Sequence, residues 1–310
     1  MGKKILDGLK SFEYEHIWDS EALGKLKGTT GLETIVTGVN KHGIEKLIKA
    51  EYTGSAIKVN KSNFPEVHQR LVETCNILGV YPIPSLYIQW DYAINACAMG
   101  VENTFIVLNS GILDLLTEDE INFIIGHEVG HIKSQHILYH EIAGIFPFIG
   151  EIIGYATLGI GSLVASGLQL TLMKWKRMSE FTADRAGLLA CQDFNAACSA
   201  FIKMSGLPSK YYDRIDVNMF LEQAKEFENY DISMVDSLAK KFINLQQDHP
   251  WSVLRAAELK KWCEDGSYWK VLNREDRDNL TSKCPYCHSE IRKGDIFCTN
   301  CGYKVNYFKK

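Results

Sequence analysis

The tightest constraint on the fold of this chain is the segment Gly126-His127-Glu128-Val129-Gly130-His131, an HEXXH sequence inside a helical pattern. Thr117 and Glu120 have the spacing of a capping box, and acidic residues fill the first turn, so a helix is predicted to begin near Glu118. Apolar residues then recur at intervals of three and four, which predicts that this helix continues to about Tyr139.

Two histidines four residues apart project from one face of a helix, so the imidazoles of His127 and His131 can reach a single cation. Glu128 lies about 60° around the helix from His131, near that cation without competing as a ligand. This is the position of a general base for a zinc-activated water, and the spacing therefore predicts a zinc-dependent peptidase. The alternative is a chance occurrence of HEXXH in a helix rich in Glu and His.

A catalytic zinc needs a third protein ligand. A metzincin would have glycine at position 134 and histidine at position 137, but Ser134 and Ile137 stand there, and that class is excluded. On a continuous helix His136 and His140 project about 180° and 140° away from His127, so both are predicted to be surface histidines. A carboxylate from a second helix remains as the third ligand.

The segment from Ser179 to Gly187 supplies that carboxylate, because Glu180 and Asp184 are four residues apart on one helix face. Glu180 can bind zinc while Asp184 accepts the outward ring N–H of a ligand histidine and sets its tautomer. The alternative is a solvated acidic helix start paired with Arg185.

These residues resemble the HtpX-like and CAAX-prenyl-protease-like zinc metalloendopeptidases, which join HEXXH to a downstream E-x-x-x-D. The resemblance covers roughly residues 60 to 262. Other segments that carry it are Asn95-Ala96-Cys97-Ala98, the run from Val107 to Leu113, and Asp248-His249-Pro250 followed by Arg255. The chain departs from the family pattern at Cys97, where an aromatic residue is usual.

The resemblance implies that His127, His131 and Glu180 are zinc ligands and that Glu128 is the base and proton shuttle. It further implies that His249 lies close to the metal, where it would donate a hydrogen bond to the oxyanion of the tetrahedral intermediate. The alternative for His249 is simple helix punctuation, with Pro250 at the first helical position.

The substrate-binding prediction concerns Asn95, Ala96, Cys97 and Ala98, which lie between predicted strands at 86–90 and 104–108. If this segment is an exposed sheet edge, an extended peptide can pair with it through main-chain hydrogen bonds. An ordinary sheet edge without a ligand is the alternative.

A second metal site is predicted near the C-terminus from two CxxC pairs, Cys284 with Cys287 and Cys298 with Cys301. Four thiolates at this spacing complete a tetrahedral shell, so the zinc of this ribbon is predicted to be structural. Two disulfides would need an oxidising compartment. Because the basic excess of residues 281–310 is modest, a protein-docking or substrate-recruiting role is favoured over nucleic-acid binding.

Composition favours an intracellular enzyme with protein or peptide substrates. The 310 residues, 46% of them hydrophobic, can form one catalytic domain with a small appendage. A net charge of −4 argues against nucleic acid as the main partner. The N-terminus has no secretion signal, which predicts a cytoplasmic location. Five cysteines outside the ribbon are predicted to be buried reduced thiols, namely Cys75, Cys97, Cys191, Cys198 and Cys263.

Membrane contact is an open alternative for the segment from Ile142 to Met173, because the run from Ile152 to Met173 carries no charge. Two full crossings between His131 and Glu180 would need about 40 residues and a turn, more than this segment offers. It is therefore predicted to form a helical hairpin, packed in the protein, over the cleft, or against a membrane surface.

The predicted architecture is mainly α (α+β), of zincin type, with a small sheet beside the HEXXH helix. The predicted divisions are an N-terminal region of unassigned role (1–57), a metallopeptidase domain (58–265), a linker (266–282) and the zinc ribbon (283–305). Further helices are predicted at 65–78, 195–204, 217–228, 233–246 and 252–263. Three function classes remain: an endopeptidase, an aminopeptidase or oligopeptidase with the same chemistry, and a non-catalytic zinc scaffold. The retained Glu128 argues against the scaffold.

Overall fold

The structure is a computed structural model that describes residues 2–29, 32, 44–144, 160–229, 250–275, 280–284, 289–292, 297, 298, 300 and 302. These residues form a mainly helical protein with a small mixed sheet, as the sequence predicts. The helices are α1 (Ile17–Lys27), α2 (Ile44–Ser55), α3 (Pro65–Leu78), α4 (Ser110–Leu115), α5 (Glu118–Lys133), α6 (137–144), α7 (Ile160–Cys191), α8 (Phe194–Met204), α9 (Val217–Asn229), α10 (Ser252–Glu264) and α11 (Ser267–Asn273). The strands are β1 (Ile57–Lys58), β2 (Ser85–Gln89), β3 (Ala96–Met99), β4 (Phe105–Asn109), β5 (Leu280–Lys283) and β6 (Glu290–Arg292).

The main sheet has the strand order β1-β2-β4-β3, so β3 lies at an edge. Strands β2 and β4 pair in parallel, and β3 pairs antiparallel with β4. The Asn109 N–H donates to the Asn95 carbonyl at 3.0 Å. Because hydrogen-bonded and non-bonded pairs alternate along an antiparallel ladder, the peptide groups of Ala96 and Ala98 point to the outer edge. Residues 96–98, which sequence analysis treated as a sheet edge only as a condition, therefore lie at an edge of the sheet that the described residues form.

Helix α5 begins as predicted and ends earlier than predicted. The Thr117 hydroxyl accepts from the Glu120 N–H, and the Glu120 carboxylate accepts from the Thr117 N–H, which completes the capping box. The prediction that this helix continues to Tyr139 is wrong. Gln135 has φ +59°, a left-handed conformation that no continuous helix accommodates, and α6 starts afresh two residues later.

Helices α5 and α7 pack closely because small residues meet between them. A Cβ added at Gly130 would lie 2.5 Å from the Ala186 Cβ, and one added at Gly126 would collide with the Ala190 Cβ. Gly187 likewise leaves no room beside the Phe123 ring, 2.8 Å from a Cβ placed there. This close approach brings the HEXXH residues of α5 to the Glu180 face of α7.

The first residues of the chain, to which the sequence assigned no role, belong to the main core. Leu6, Leu9 and Tyr14 are buried among the residues of α3, α5 and α7. Helix α1 follows and packs along α7, where its Asp19 side chain is completely buried.

The C-terminal part departs from the predicted linker. Residues 266–282 were expected to be a polar connection, but α11 lies within them and buries Tyr268, Val271 and Leu272, so the first half packs on the domain. Beyond it β5 and β6 form an antiparallel hairpin, and Cys284, Ile291 and Cys298 form a small core of their own. Cys287 and Cys301 lie outside the described residues.

Other predictions are met in part. Helices α3, α8, α9 and α10 agree with prediction to within about one residue, whereas the helix predicted at 233–246 lies outside the described residues. The hairpin predicted at 142–173 falls partly outside them, since 145–159 are not described. In the described ranges no helix is both long and apolar enough to cross a membrane. Three of the five cysteines predicted as reduced thiols are buried and two are half-buried, and none of them forms a disulfide.

Candidate active site

Three side chains converge where α5 faces α7. Nε2 of His127 and Nε2 of His131 are 3.1 Å apart. The Glu180 carboxylate completes the group, with Oε2 at 3.4 Å from Nε2 of His127 and Oε1 at 3.4 Å from Nε2 of His131. All three residues are buried. Two imidazole nitrogens and one carboxylate, mutually this close, match the donor set and spacing of a zinc site.

The outer nitrogen of His127 is held by a carboxylate, in the arrangement expected from the E-x-x-x-D spacing. Nδ1 of His127 lies 3.0 Å from Oδ1 of Asp184. Arg255 clamps Asp184 through two hydrogen bonds of 2.8 and 2.6 Å, and its guanidinium stacks 4.8 Å over the Phe201 ring. Asp184 is therefore a fixed acceptor, which assigns the proton of neutral His127 to Nδ1 and leaves Nε2 for a metal.

The prediction that His136 and His140 are surface residues is wrong. His136 is only 3% exposed, and its Nδ1 lies 3.0 Å from Nδ1 of His131. His140 is half-buried, its ring centroid lies 4.7 Å from that of His131, and its Nε2 is 2.8 Å from the Ser179 hydroxyl. The prediction failed because it assumed a continuous helix, whereas the left-handed turn at Gln135 folds the chain back onto α5.

The electrostatics of the two ligand histidines differ. For His127, burial disfavours the imidazolium, but hydrogen bonds to Asp184 and Glu180 outweigh it and raise its pKa to about 10. For His131, burial lowers the pKa to about 4 despite its contact with Glu180. Burial also opposes the ionisation of Asp184, yet the Arg255 guanidinium holds the pKa of that carboxyl below its usual value. The pair therefore carries one proton near neutral pH when no metal is bound.

Glu128 is buried in α5, the helix that contacts the edge strand β3. Burial raises the pKa of Cys97 in β3 to about 12, and the charge of Glu128 raises it to a smaller extent. Of the predicted substrate segment, Ala96 and Ala98 pack their side chains on the main core, and Cys97 packs beside α2. His249 lies outside the described residues.

The same stretch of chain matches a protein family. The model of peptidase family M48 matches residues 61–263, which is well over half of the sequence and includes every residue of the ligand group. The chain belongs to peptidase family M48. It is accordingly a zinc metallopeptidase, and the expectation drawn from the resemblance is confirmed at this level.

Two relatives match most of the length of this M48 chain. A protein named Plastoglobule-localized metallopeptidase 48, chloroplastic, from Arabidopsis thaliana is 28% identical over 90% of this chain and 80% of its own. A Protease HtpX homolog from Ralstonia pickettii is 27% identical over 72% of this chain and 82% of its own. A zinc-ribbon model matches residues 283–305, so the predicted ribbon is present. No solved structure matches the chain.

Sequence analysis did not identify two residues next to the ligand group. Asp19, whose Oδ2 lies 3.1 Å from Nε2 of His136, sits in a helix with no motif around it, and His136 was assigned to the surface. Arg255 was singled out only as part of the resemblance, without a role. The only sequence signal for His136 was the density of histidines after HEXXH. That signal could not be interpreted, because the apolar periodicity did not predict the turn at Gln135.

Proposed function

We propose that this M48 peptidase is an endopeptidase that hydrolyses peptide bonds with Glu128 as the general base, on a zinc held by His127, His131 and Glu180. The observation that carries the proposal is the convergence of the three donors within 3.4 Å beside a buried, non-ligating carboxylate. A purely structural site would not need that carboxylate, so the geometry favours catalysis over a scaffold.

In this proposal each residue of the site has a separate role in catalysis. The chemistry that zinc supplies in such a site is polarisation of the substrate carbonyl and a lowered pKa for water. Glu128 accepts the proton of the attacking water and passes it to the leaving amine, so one carboxyl serves as base and then acid. Asp184 and Arg255 keep His127 in its metal-binding tautomer throughout.

The substrate is proposed to lie along the outer edge of β3. The peptide groups of Ala96 and Ala98 point there, and within the described ranges no strand pairs with that edge. A peptide that adds as a further strand receives main-chain hydrogen bonds, which give affinity with little sequence selectivity. An edge strand in contact with α5, the helix that carries Glu128, suits cleavage within an extended chain.

The Ala98→Pro variant tests this edge. Proline removes an N–H that faces outward, a position where sheets tolerate it, so the fold should survive. We expect KM for an unfolded protein substrate to rise several-fold while the melting temperature and zinc content stay near the wild-type values. An unchanged KM would place the substrate elsewhere.

The decisive experiment compares wild-type protein with Glu128→Gln on unfolded casein and on aminoacyl-anilides, with a chelator control. Wild type should cut casein, and the variant should lose that activity by at least about 10²-fold while it retains zinc. Cleavage of the anilides alone would indicate an aminopeptidase instead. No cleavage of either substrate by the zinc-loaded wild type would favour the scaffold.

The remaining proposals concern metal count and location. One catalytic zinc and one structural zinc, the latter on Cys284, Cys287, Cys298 and Cys301, fit the two matched regions. We propose a protein partner for the ribbon and a cytoplasmic location for the protein, with membrane contact through residues 142–173 as the alternative.

A further inference from the structure

The two ligand histidines are supported in different ways. His127 meets the carboxylate of Asp184 directly, whereas the outer nitrogen of His131 meets another imidazole. Beyond that imidazole, Nε2 of His136 lies 3.1 Å from Oδ2 of Asp19. Asp19 belongs to α1, outside the part of the chain that the M48 model matches.

The buried carboxylate of Asp19 accepts hydrogen bonds from two further side chains. Oδ1 accepts from the Trp175 ring N–H at 2.9 Å, and Oδ2 accepts from the Thr182 hydroxyl at 2.7 Å. The Thr182 oxygen is itself held by the His16 N–H at 3.0 Å. Trp175 and Thr182 both lie on α7, which also carries Glu180, so the carboxylate of Asp19 is fixed relative to the ligand group.

These contacts determine the protonation of both imidazoles. A carboxylate only accepts, so Nε2 of His136 must carry a hydrogen, and in the neutral ring Nδ1 then presents a lone pair. Two nitrogens 3.0 Å apart share a single proton, so Nδ1 of His131 must donate. That leaves the lone pair of His131 on Nε2, the atom that faces Glu180 and Nε2 of His127.

We propose that Asp19 and His136 are positioning residues that hold His131 in its metal-binding tautomer and orientation. This hydrogen-bonded relay, from Asp19 through His136 to His131, fixes the tautomer of His131 as Asp184 fixes that of His127. It also explains why a buried carboxylate of α1 is placed here, although the sequence assigns no role to the N-terminal region. The inference rests on the ligand set of the proposed function.

A competing interpretation is that His131, His136 and His140 hold a metal ion of their own, because their nitrogens lie within 4.8 Å of one another. Nε2 of His131 already faces His127 and Glu180, so a separate ion would need the lone pair of Nδ1, and that nitrogen donates its hydrogen to His136. The same atom cannot serve both, so the hydrogen bonds favour a relay over an ion.

Asp19→Asn is the sharpest test, because it changes hydrogen-bond direction with almost no change of volume. The Trp175 N–H can only donate, so the amide oxygen must face it and the amide NH₂ must face His136. His136 then accepts at Nε2 and carries its hydrogen on Nδ1. That hydrogen forces His131 to carry its own on Nε2, where the metal should bind.

We expect the zinc affinity of the catalytic centre of Asp19→Asn to fall about 10- to 100-fold, measured on the metal-free full-length protein by competition with a chromophoric chelator. The ribbon zinc serves as an internal reference. Glu258→Gln is the matched control, since it removes only the charge of the carboxylate that lies 3.1 Å from Nε2 of His16 and leaves the main-chain His16 N–H that holds Thr182 in place. The control should bind zinc like the wild type.

Equal zinc affinity in Asp19→Asn and wild type would overturn the proposal, as would an equal loss in Glu258→Gln. If Asp19→Asn does not fold, nitrogen NMR of the zinc-loaded wild type with labelled histidine decides. We expect hydrogen on Nδ1 of His131 and on Nε2 of His136; the opposite tautomers, or a third zinc ion per chain, would overturn the relay. Because these readouts do not require turnover, they are separate from the failure of the proposed peptidase activity.

Discussion

At the scale of single residues, the opposite pKa shifts of the two ligand histidines predict how zinc binding depends on pH. The metal-free pair holds a proton on His127, whose pKa is about 10, and none on His131, whose pKa is about 4. Zinc must displace that proton. We therefore expect release of about one proton at pH 7 and a zinc affinity that rises about tenfold per pH unit up to pH 9. Calorimetry in buffers of different ionisation enthalpy measures both.

Zinc affinity is expected to rise with pH because the pKa of His127 is raised in the folded protein. A raised pKa means that the proton competes with zinc until the pH approaches 10, so affinity increases with pH across the neutral range. Asp184→Asn should release less proton and bind zinc about 10- to 100-fold more weakly, because the carboxylate that charges His127 also sets its tautomer. Asp119→Asn, an exposed carboxylate at the start of α5, is the matched control. A zinc affinity independent of pH would contradict the assignment.

Sequence periodicity located His127, His131, Glu180 and Asp184 because their relations are local. Each pair is four residues apart on one helix, and helix geometry fixes their directions. The prediction for His136 was wrong because a single residue, Gln135, adopts a left-handed conformation. This conformation is uncommon for glutamine, and no sequence pattern predicted it. Asp19 could not be found, since its contact with His136 joins residues more than a hundred positions apart.

At the scale of secondary-structure elements, the distance between α5 and α7 sets the geometry of the ligand group. Gly130→Ala would place a methyl group 2.5 Å from the Ala186 Cβ, and neither helix backbone can move aside without carrying ligands with it. We expect a loss of about 1–3 kcal/mol in the free energy of unfolding, together with weakened zinc binding. Denaturant unfolding of the metal-free protein and chelator competition measure the two effects.

Gly24→Ala provides the control for this substitution. Gly24 lies inside α1 with nothing within 4 Å of an added Cβ. The same change should therefore stabilise the protein by about 0.5–1 kcal/mol through helix propensity and leave zinc binding intact. Equal behaviour of the two variants would show that packing at Gly130 does not control the site.

The small residues of the interface between α5 and α7 are present in the sequence, but the sequence did not predict which two helices pack together. Gly126 and Gly130 are four apart, as are Ala183 with Gly187 and Ala186 with Ala190, so each helix presents a stripe of small residues. Such a stripe indicates that another element packs closely against the helix, but it does not identify that element. Strands β2 and β4, in contrast, were predicted to within about one residue, because short apolar runs bounded by turn residues are strong local signals.

At the scale of the whole molecule, the two ends of the chain contribute differently to the catalytic domain. Leu6, Leu9 and Tyr14 are at most 3% exposed in the main core, and burial of each leucine contributes about 1.5–3 kcal/mol. Because a whole domain is stable by only about 5–15 kcal/mol, a chain that begins at residue 58 should not unfold cooperatively. Calorimetry of that chain against the full-length protein tests this expectation.

The ribbon has its own small core, in which Cys284, Ile291 and Cys298 are buried apart from the main cluster. A chain that ends at residue 275 keeps α11 and the ion pair of Arg274 with Glu13, whose atoms are 2.7 Å apart. We therefore expect this chain to retain the cooperative melting transition and the catalytic zinc while it loses the structural zinc. Elemental analysis should find one zinc ion fewer than in the full-length protein. If the melting transition disappeared as well, the ribbon would be part of the folding unit, and its metal would be coupled to the stability of the catalytic domain.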